Sequence, residues 1–219
     1  MRNYIRSFIY LLVFAGFSSS IAGSYEDFFV AIKRDDGAAV QRLLERGFDP
    51  NTVDPKGFHG LFLAVREASL KAAQVLIRWP KTAVESRTAQ DESPLMLAAL
   101  RGHTALVKEL IARGSDVNKT GWTPLHYAAT SGHLEIMNLL LENHAYIDAE
   151  SPNGTTPLMM AANYGSAASV KLLLEAGADA SLRNQLGLTA IDFATKANRT
   201  DSAELIAATR RTQLPRGKW

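Results

Sequence analysis

"TPLHYAATSGHLEIMNLLLENHAYID", residues 123–148, carries two histidines seven residues apart, His126 and His133. On one uninterrupted helix that spacing is two turns, and both rings would share a face as a metal or catalytic pair requires. The residues between them argue otherwise. Thr123 followed by Pro124 reads as a helix start, with the proline where its missing N–H costs nothing. Gly132 reads as the end of that helix, because glycine adopts the left-handed conformation without a Cβ penalty. Ile136, Met137, Leu139 and Leu140 then mark a second helix by their spacing. The two histidines fall on different elements, and both are read as parts of the fold.

The stretch is not unique. "SPLMLAALRGHTALVKELIARGSDVN" starts at Ser93 and "TPLMMAANYGSAASVKLLLEAGADAS" at Thr156. Weaker copies start at Glu26, His59 and Thr189, so that successive starts lie 33, 34, 30, 33 and 33 residues apart. A fixed period of this size marks a repeat architecture, in which each unit buries its apolar face only against its neighbours. Ala128, Ala129, Ala161 and Ala162 are small enough to let adjacent helices approach closely. Gly102, Gly132 and Gly165 are expected to end first helices in the left-handed conformation, and Gly47, Gly114 and Gly177 to end second helices. Asp35 and Asn198 replace the mid-repeat glycine in the outermost copies, and both tolerate that conformation. Ala68 does not, which predicts local strain or a different turn in the second copy.

The T-P-L-H-x-A-A, G-H, L-L and G-A pattern with a period of 33 resembles the ankyrin repeat, over about residues 25–212. The resemblance implies an all-α solenoid of about six helix-turn-helix repeats with short hairpin-like turns. Its expected extent is residues 23–214, with repeats at about 26–58, 59–92, 93–122, 123–155, 156–188 and 189–212. It also implies that His126 hydrogen-bonds backbone in the turn between repeats. His103 and His133 occupy one further slot in successive copies.

For function the resemblance is less specific, since one scaffold serves many partners. It implies binding of another protein by the concave face, through exposed first-helix positions and turn tips. Those positions are Leu63, Arg66 and Glu67; Leu97, Leu100 and Arg101; Tyr127, Thr130 and Ser131; Met160, Asn163 and Tyr164. The candidate partner-binding residues are Arg101, Trp122, Tyr127, Thr130, Asn163, Tyr164, Met160 and Leu97, with Leu97 and Met160 equally suited to packing against the next repeat. Between the third and fourth copies, "NKTGW" (118–122) is three residues short of the period and leaves Trp122 at a notch in the row of turns. The finger "AESPNGTT" (149–156) is longer and polar. In the second copy Trp79-Pro80 and "KTAVESRTAQDE" (81–92) replace the usual helix end, as a looser loop or a specificity loop.

Enzyme readings lack their parts. There is no G-x-S-x-G, P-loop or H-E-x-x-H, and no cysteine to serve as nucleophile or thiolate ligand. Asp49, Asp116, Asp148 and Asp179 recur near equivalent repeat ends and read as turn residues. The chain is therefore not expected to be an enzyme or to carry a metal or cofactor, and a monomer is expected.

The first 22 residues have a different composition. Arg2 and Arg6 precede the apolar run "FIYLLVFAGF" (8–17) and the small residues Ser20 and Ala22, the three-part pattern of a secretory signal cleaved after Ala22. An uncleaved membrane anchor is the alternative. Without Arg2 and Arg6 the remaining 22 basic residues balance 22 acidic ones, which argues against nucleic-acid binding. The tail 213–219 is basic and is expected to be solvated. Absence of cysteine, with Asn-x-Thr sequons at Asn118, Asn153 and Asn198, points to a bacterial periplasm over a eukaryotic secretory route. The expected partner is another exported protein, with secretion as an effector or immunity protein the alternative and the membrane involved only if residues 1–22 are retained.

Overall fold

The computed structural model describes residues 23–213, with side chains through residue 210. The expected signal segment and residues 214–219 of the basic tail lie outside the described residues. Twelve helices form among those described, with one isolated antiparallel bridge between Val53 and His59. The chain divides into two compact units, residues up to Ala83 and residues from Val84.

The first unit holds α1 (residues 23–33), α2 (Gly37–Glu45), α3 (Gly60–Arg66) and α4 (Leu70–Arg78). Helix α1 begins ahead of Glu26, so the first copy starts upstream of the expected boundary. Phe28, Ile32, Leu61, Leu76 and Ile77 are fully buried in this unit, each contributing roughly 1.5–3 kcal/mol. The Phe28 ring meets Phe29 edge-on at 5.2 Å and Phe48 at 4.7 Å.

The second unit holds four helix pairs. Its first helices are α5 (Pro94–Arg101), α7 (Pro124–Ser131), α9 (Pro157–Asn163) and α11 (Ala190–Lys196). They pack side by side in that order. The second helices, α6 (Thr104–Ala112), α8 (Leu134–Glu142), α10 (Ala167–Glu175) and α12 (Thr200–Gln213), form a parallel row behind them. Ala98, Ala99, Ala128, Ala129, Ala161 and Ala162 have no more than a trace of exposure, as the close approach of neighbouring first helices demands.

Each first helix of this unit starts with a reciprocal cap. Ser93 N–H donates to Met96 Sδ, Thr123 N–H to His126 Nδ1, Thr156 N–H to Met159 Sδ and Thr189 N–H to Asp192 Oδ2. The hydroxyls of Ser93 and Thr156 in turn accept from the backbone three residues on. The turn tips repeat a second device: a short polar side chain accepts from the backbone four residues later. Asp54, Thr88, Ser151 and Asn184 all do this, closing hairpin turns onto Phe58, Glu92, Thr155 and Leu188.

The positive-φ expectations fall out unevenly. Gly102, Gly132, Gly47, Gly114 and Gly177 are left-handed, as are Asp35 and Asn198, and Ala68 sits at φ 58. Ala68 is therefore strained as foreseen. Gly165 differs: α9 ends on Tyr164 in right-handed conformation, and Gly165 itself is not left-handed. Its requirement is space, because a Cβ there would stand 2.5 Å from Ala129 O. Residues 82–88 are not the looser loop that was one expectation for this segment. Thr82, Val84, Ser86 and Thr88 are buried in alternation with more exposed neighbours, the pattern of extended, packed chain.

Candidate partner-binding site

The candidate residues lie in the second unit, on α5, α7 and α9 and the turn before α7. His126, at the third position of α7, organises the centre. It is fully buried; Nε2 lies 2.9 Å from Thr155 O, and Nδ1 accepts from Thr123 N–H at 3.1 Å. An amide can only donate, so Nδ1 carries no proton and Nε2–H donates to the carbonyl. Burial pushes the imidazole down to about 4, opposed by the carbonyls of Thr155 and Ala149. The ring is a neutral strut between α7 and the following turn. His133 is separate, on α8's N-cap, with Nε2 3.1 Å from Leu100 O. No group of three or more potential metal ligands occurs among the described residues.

Around His126 the structure brings together four of the candidates. Trp122, Tyr127, Thr130 and Met160 line one pocket with Leu100 and the edge of His126, with a volume of about 220 Å³. The shortened turn at 118–122 leaves this pocket beside it. Trp122 packs edge-on against His126, ring centroids 5.2 Å apart, and still faces the pocket. Lys119 takes up the slack of the short turn: it is buried, pairs with Asp91 and donates to Thr120 O at 2.8 Å.

The polar atoms around the pocket are committed elsewhere. Thr130 Oγ1 donates to His126 O at 2.7 Å, and Tyr127 OH donates to Glu92 Oε1 at 3.4 Å. Burial, reinforced by the Glu92 carboxylate, pushes the Tyr127 phenol up to about 12, so it stays a neutral donor. The wall left to a visitor is apolar.

The other candidates are placed differently. Arg101 is exposed at the last turn of α5 and Tyr164 is 58% exposed just past α9. Asn163 is half-buried beside it, outside the pocket lining. Leu97 is a correction: it is only 8% exposed and belongs to the buried core, as does Leu63 at 4%. Its spacing of three puts it on the helix face it shares with Leu100, but the neighbouring packing covers it, so Leu97 offers a partner almost no surface.

Two features escaped sequence reasoning. Arg199 Nε, Nη1 and Nη2 donate to the carbonyls of Asn163, Gly165 and Tyr164 at 2.8, 2.5 and 3.0 Å, fixing the chain at Tyr164 from the next repeat. Asn118 accepts from Tyr146 N–H and donates to His144 O, both at 2.7 Å, joining consecutive turns. Asn51 makes the same pair of bonds to Ala83 and Lys81 in the first unit, and that recurrence of Asn two periods apart was the available signal.

The comparisons agree with this architecture. Family models described as ankyrin repeats match residues 61–151 (three copies) and 144–194 (many copies). Human neurogenic locus notch homolog protein 2 is 36% identical over 115 residues, 51% of this chain and 5% of that protein. The chain thus spans about one-twentieth of the length of that relative. Among solved structures, the human ASB11 ankyrin repeat domain matches with a TM-score of 0.75 at 27% identity, covering 83% of this chain and 82% of that one. A chain from the complex of the predatory endopeptidase Bd0816 of Bdellovibrio bacteriovorus with immunity protein Bd3460 matches at 0.73 and 26% identity, covering 83% and 97%. With the repeats matched by model, by relative and by structure, the chain belongs to the ankyrin-repeat family.

Proposed function

We propose that this chain is an exported binding protein, active in a bacterial periplasm, that holds another exported protein against the face formed by α5, α7 and α9. Ankyrin repeats generally mediate protein–protein interaction, and the observation that carries the reading here is the pocket among Leu100, Trp122, Tyr127, Thr130 and Met160. Its aromatic wall and the exposed Arg101 and Tyr164 beside it are the residue types that anchor interfaces. The role is adaptor, stabiliser or inhibitor of that partner, and no catalysis is assigned to the chain.

A second reading, an immunity-type inhibitor, draws on the likeness to a chain from the endopeptidase–immunity complex. In that reading the captured partner is a peptidase whose activity falls when this protein binds.

The test is a crosslinked pull-down from periplasmic extract with wild-type bait beside an Arg101→Ala/Tyr127→Ala/Tyr164→Ala bait. One dominant protein lost from the triple variant supports the face; equal capture by both baits moves the site elsewhere. Assay of the captured protein for peptidase activity, with and without bait, separates the two readings. Sequencing the N-terminus of the purified protein tests export: a start at Gly23 supports cleavage, while Met1 supports a retained anchor.

A further inference from the structure

The pocket beside the short turn has a polarity along α5. Glu92 immediately precedes that helix's N-cap, Ser93, and Arg101 is its last residue. Nine residue steps along the helix and its cap set the two positions about 13 Å apart. The neighbouring acid, Asp91, is already paired with Lys119, whereas the Glu92 carboxylate accepts from the neutral hydroxyl of Tyr127 and is half-exposed. The pocket lining touches both ends, through Leu100 next to Arg101 and through Tyr127, whose hydroxyl meets Glu92. Its polar atoms on Thr130, His126 and Tyr127 are spent internally, and its volume of about 220 Å³ suits one large apolar side chain.

An extended polypeptide advances about 3.3 Å per residue. Five residues therefore span the distance from Glu92 to Arg101, with the middle one at the pocket. We propose that the pocket is the anchor subsite for an extended segment of the partner with the pattern basic–x–large apolar–x–acidic. The apolar side chain enters among Leu100, Trp122, Tyr127 and Met160, the basic residue faces Glu92 and the acidic residue faces Arg101. The missing three residues of the turn at 118–122 leave the passage through which the segment's backbone runs. This deepens the proposed function and rests on it, naming the chemistry of the partner at that face.

Selection of a phage-displayed library of random linear 9-mers on the purified protein, followed by calorimetry with the enriched peptides, tests it. The expected consensus is Leu, Met or Phe with Lys or Arg two positions to one side and Asp or Glu two positions to the other. Thr130→Met, which adds bulk at the pocket wall on a helix that accommodates it, weakens the selected peptide at least tenfold with an unchanged melting temperature. Glu92→Gln keeps an acceptor for Tyr127 and removes the charge; it weakens binding about threefold to fivefold, and that loss disappears for a peptide lacking the basic residue. Arg101→Gln acts likewise on the acidic residue. A consensus without an apolar anchor, full binding by Thr130→Met, or no enrichment overturns the subsite. The wider reading is judged apart, by whether the triple-alanine bait still captures its protein: capture lost there with peptides indifferent to Thr130→Met leaves the face standing and sinks the pocket.

Discussion

At the scale of single residues, His126 shows how a signature side chain becomes an acid-sensitive joint. Its proton-free Nδ1 accepts from Thr123, so protonation forfeits that bond inside the fold. Folding lowers its pKa from an ordinary 6.5 to about 4, so the unfolded chain takes up the proton first as pH falls. The stability it contributes is complete above about pH 6.5, shrinks through the window down to about 4 and is gone below it; the full amount is roughly 3 kcal/mol. Urea unfolding at several pH values checks this by difference: His126→Ala should cost about 2–4 kcal/mol at pH 7.5 and show a shallower decline toward pH 4.5 than wild type. A steeper or equal decline in the variant would remove His126 as the cause. Gly165 and Ala68 make an opposed pair. Gly165→Ala puts a Cβ 2.5 Å from Ala129 O and should lose about 2 kcal/mol or more. Ala68→Gly relieves a left-handed alanine at φ 58 on the surface and should gain about 1 kcal/mol. Thermal melts of the two variants should move in opposite directions.

At the scale of elements, the helices were legible because their ends are written locally: Thr-Pro or Ser-Pro at the start, glycine or a tolerant substitute at the stop. The second copy was harder to read, since Trp79-Pro80 removes the helix-end signal while residues 82–88 remain packed by alternate burial. Arg199 was not legible at all as a clamp. It stands before α12 yet binds three carbonyls at the end of α9, 34 to 36 residues away in sequence. Those carbonyls are the unpaired acceptors of a short helix C-terminus, and a planar guanidinium satisfies several at once. Arg199→Ala should therefore destabilise by about 1–3 kcal/mol, lowering the melting temperature by a few degrees. Arg199→Lys should recover less than half of that, because one ammonium cannot reach all three. Full recovery by lysine would mean that charge alone matters there.

At the scale of the whole molecule, the proposed site turns on the largest departure from the period, the spacing of 30 residues at the short turn. Restoring the 33-residue spacing by inserting three residues after Thr120 lengthens a surface turn, which stacks tolerate at small cost. The melting temperature should change by no more than a few degrees while capture of the partner falls sharply; unimpaired capture would show that the short turn is incidental. The sequence by itself determined the repeat, the helix pairs, the separation of His126 from His133 and the short turn that ends on Trp122, because period, caps and turn chemistry act over a few neighbours. Only the tertiary structure decided that Leu97 is core and Met160 is pocket wall, that Gly165 is needed for space and not for conformation, and that Arg199 pins the chain at Tyr164. Each of those depends on what the adjacent repeat brings within contact distance, and a residue's own repeat says nothing about which of its faces that neighbour covers.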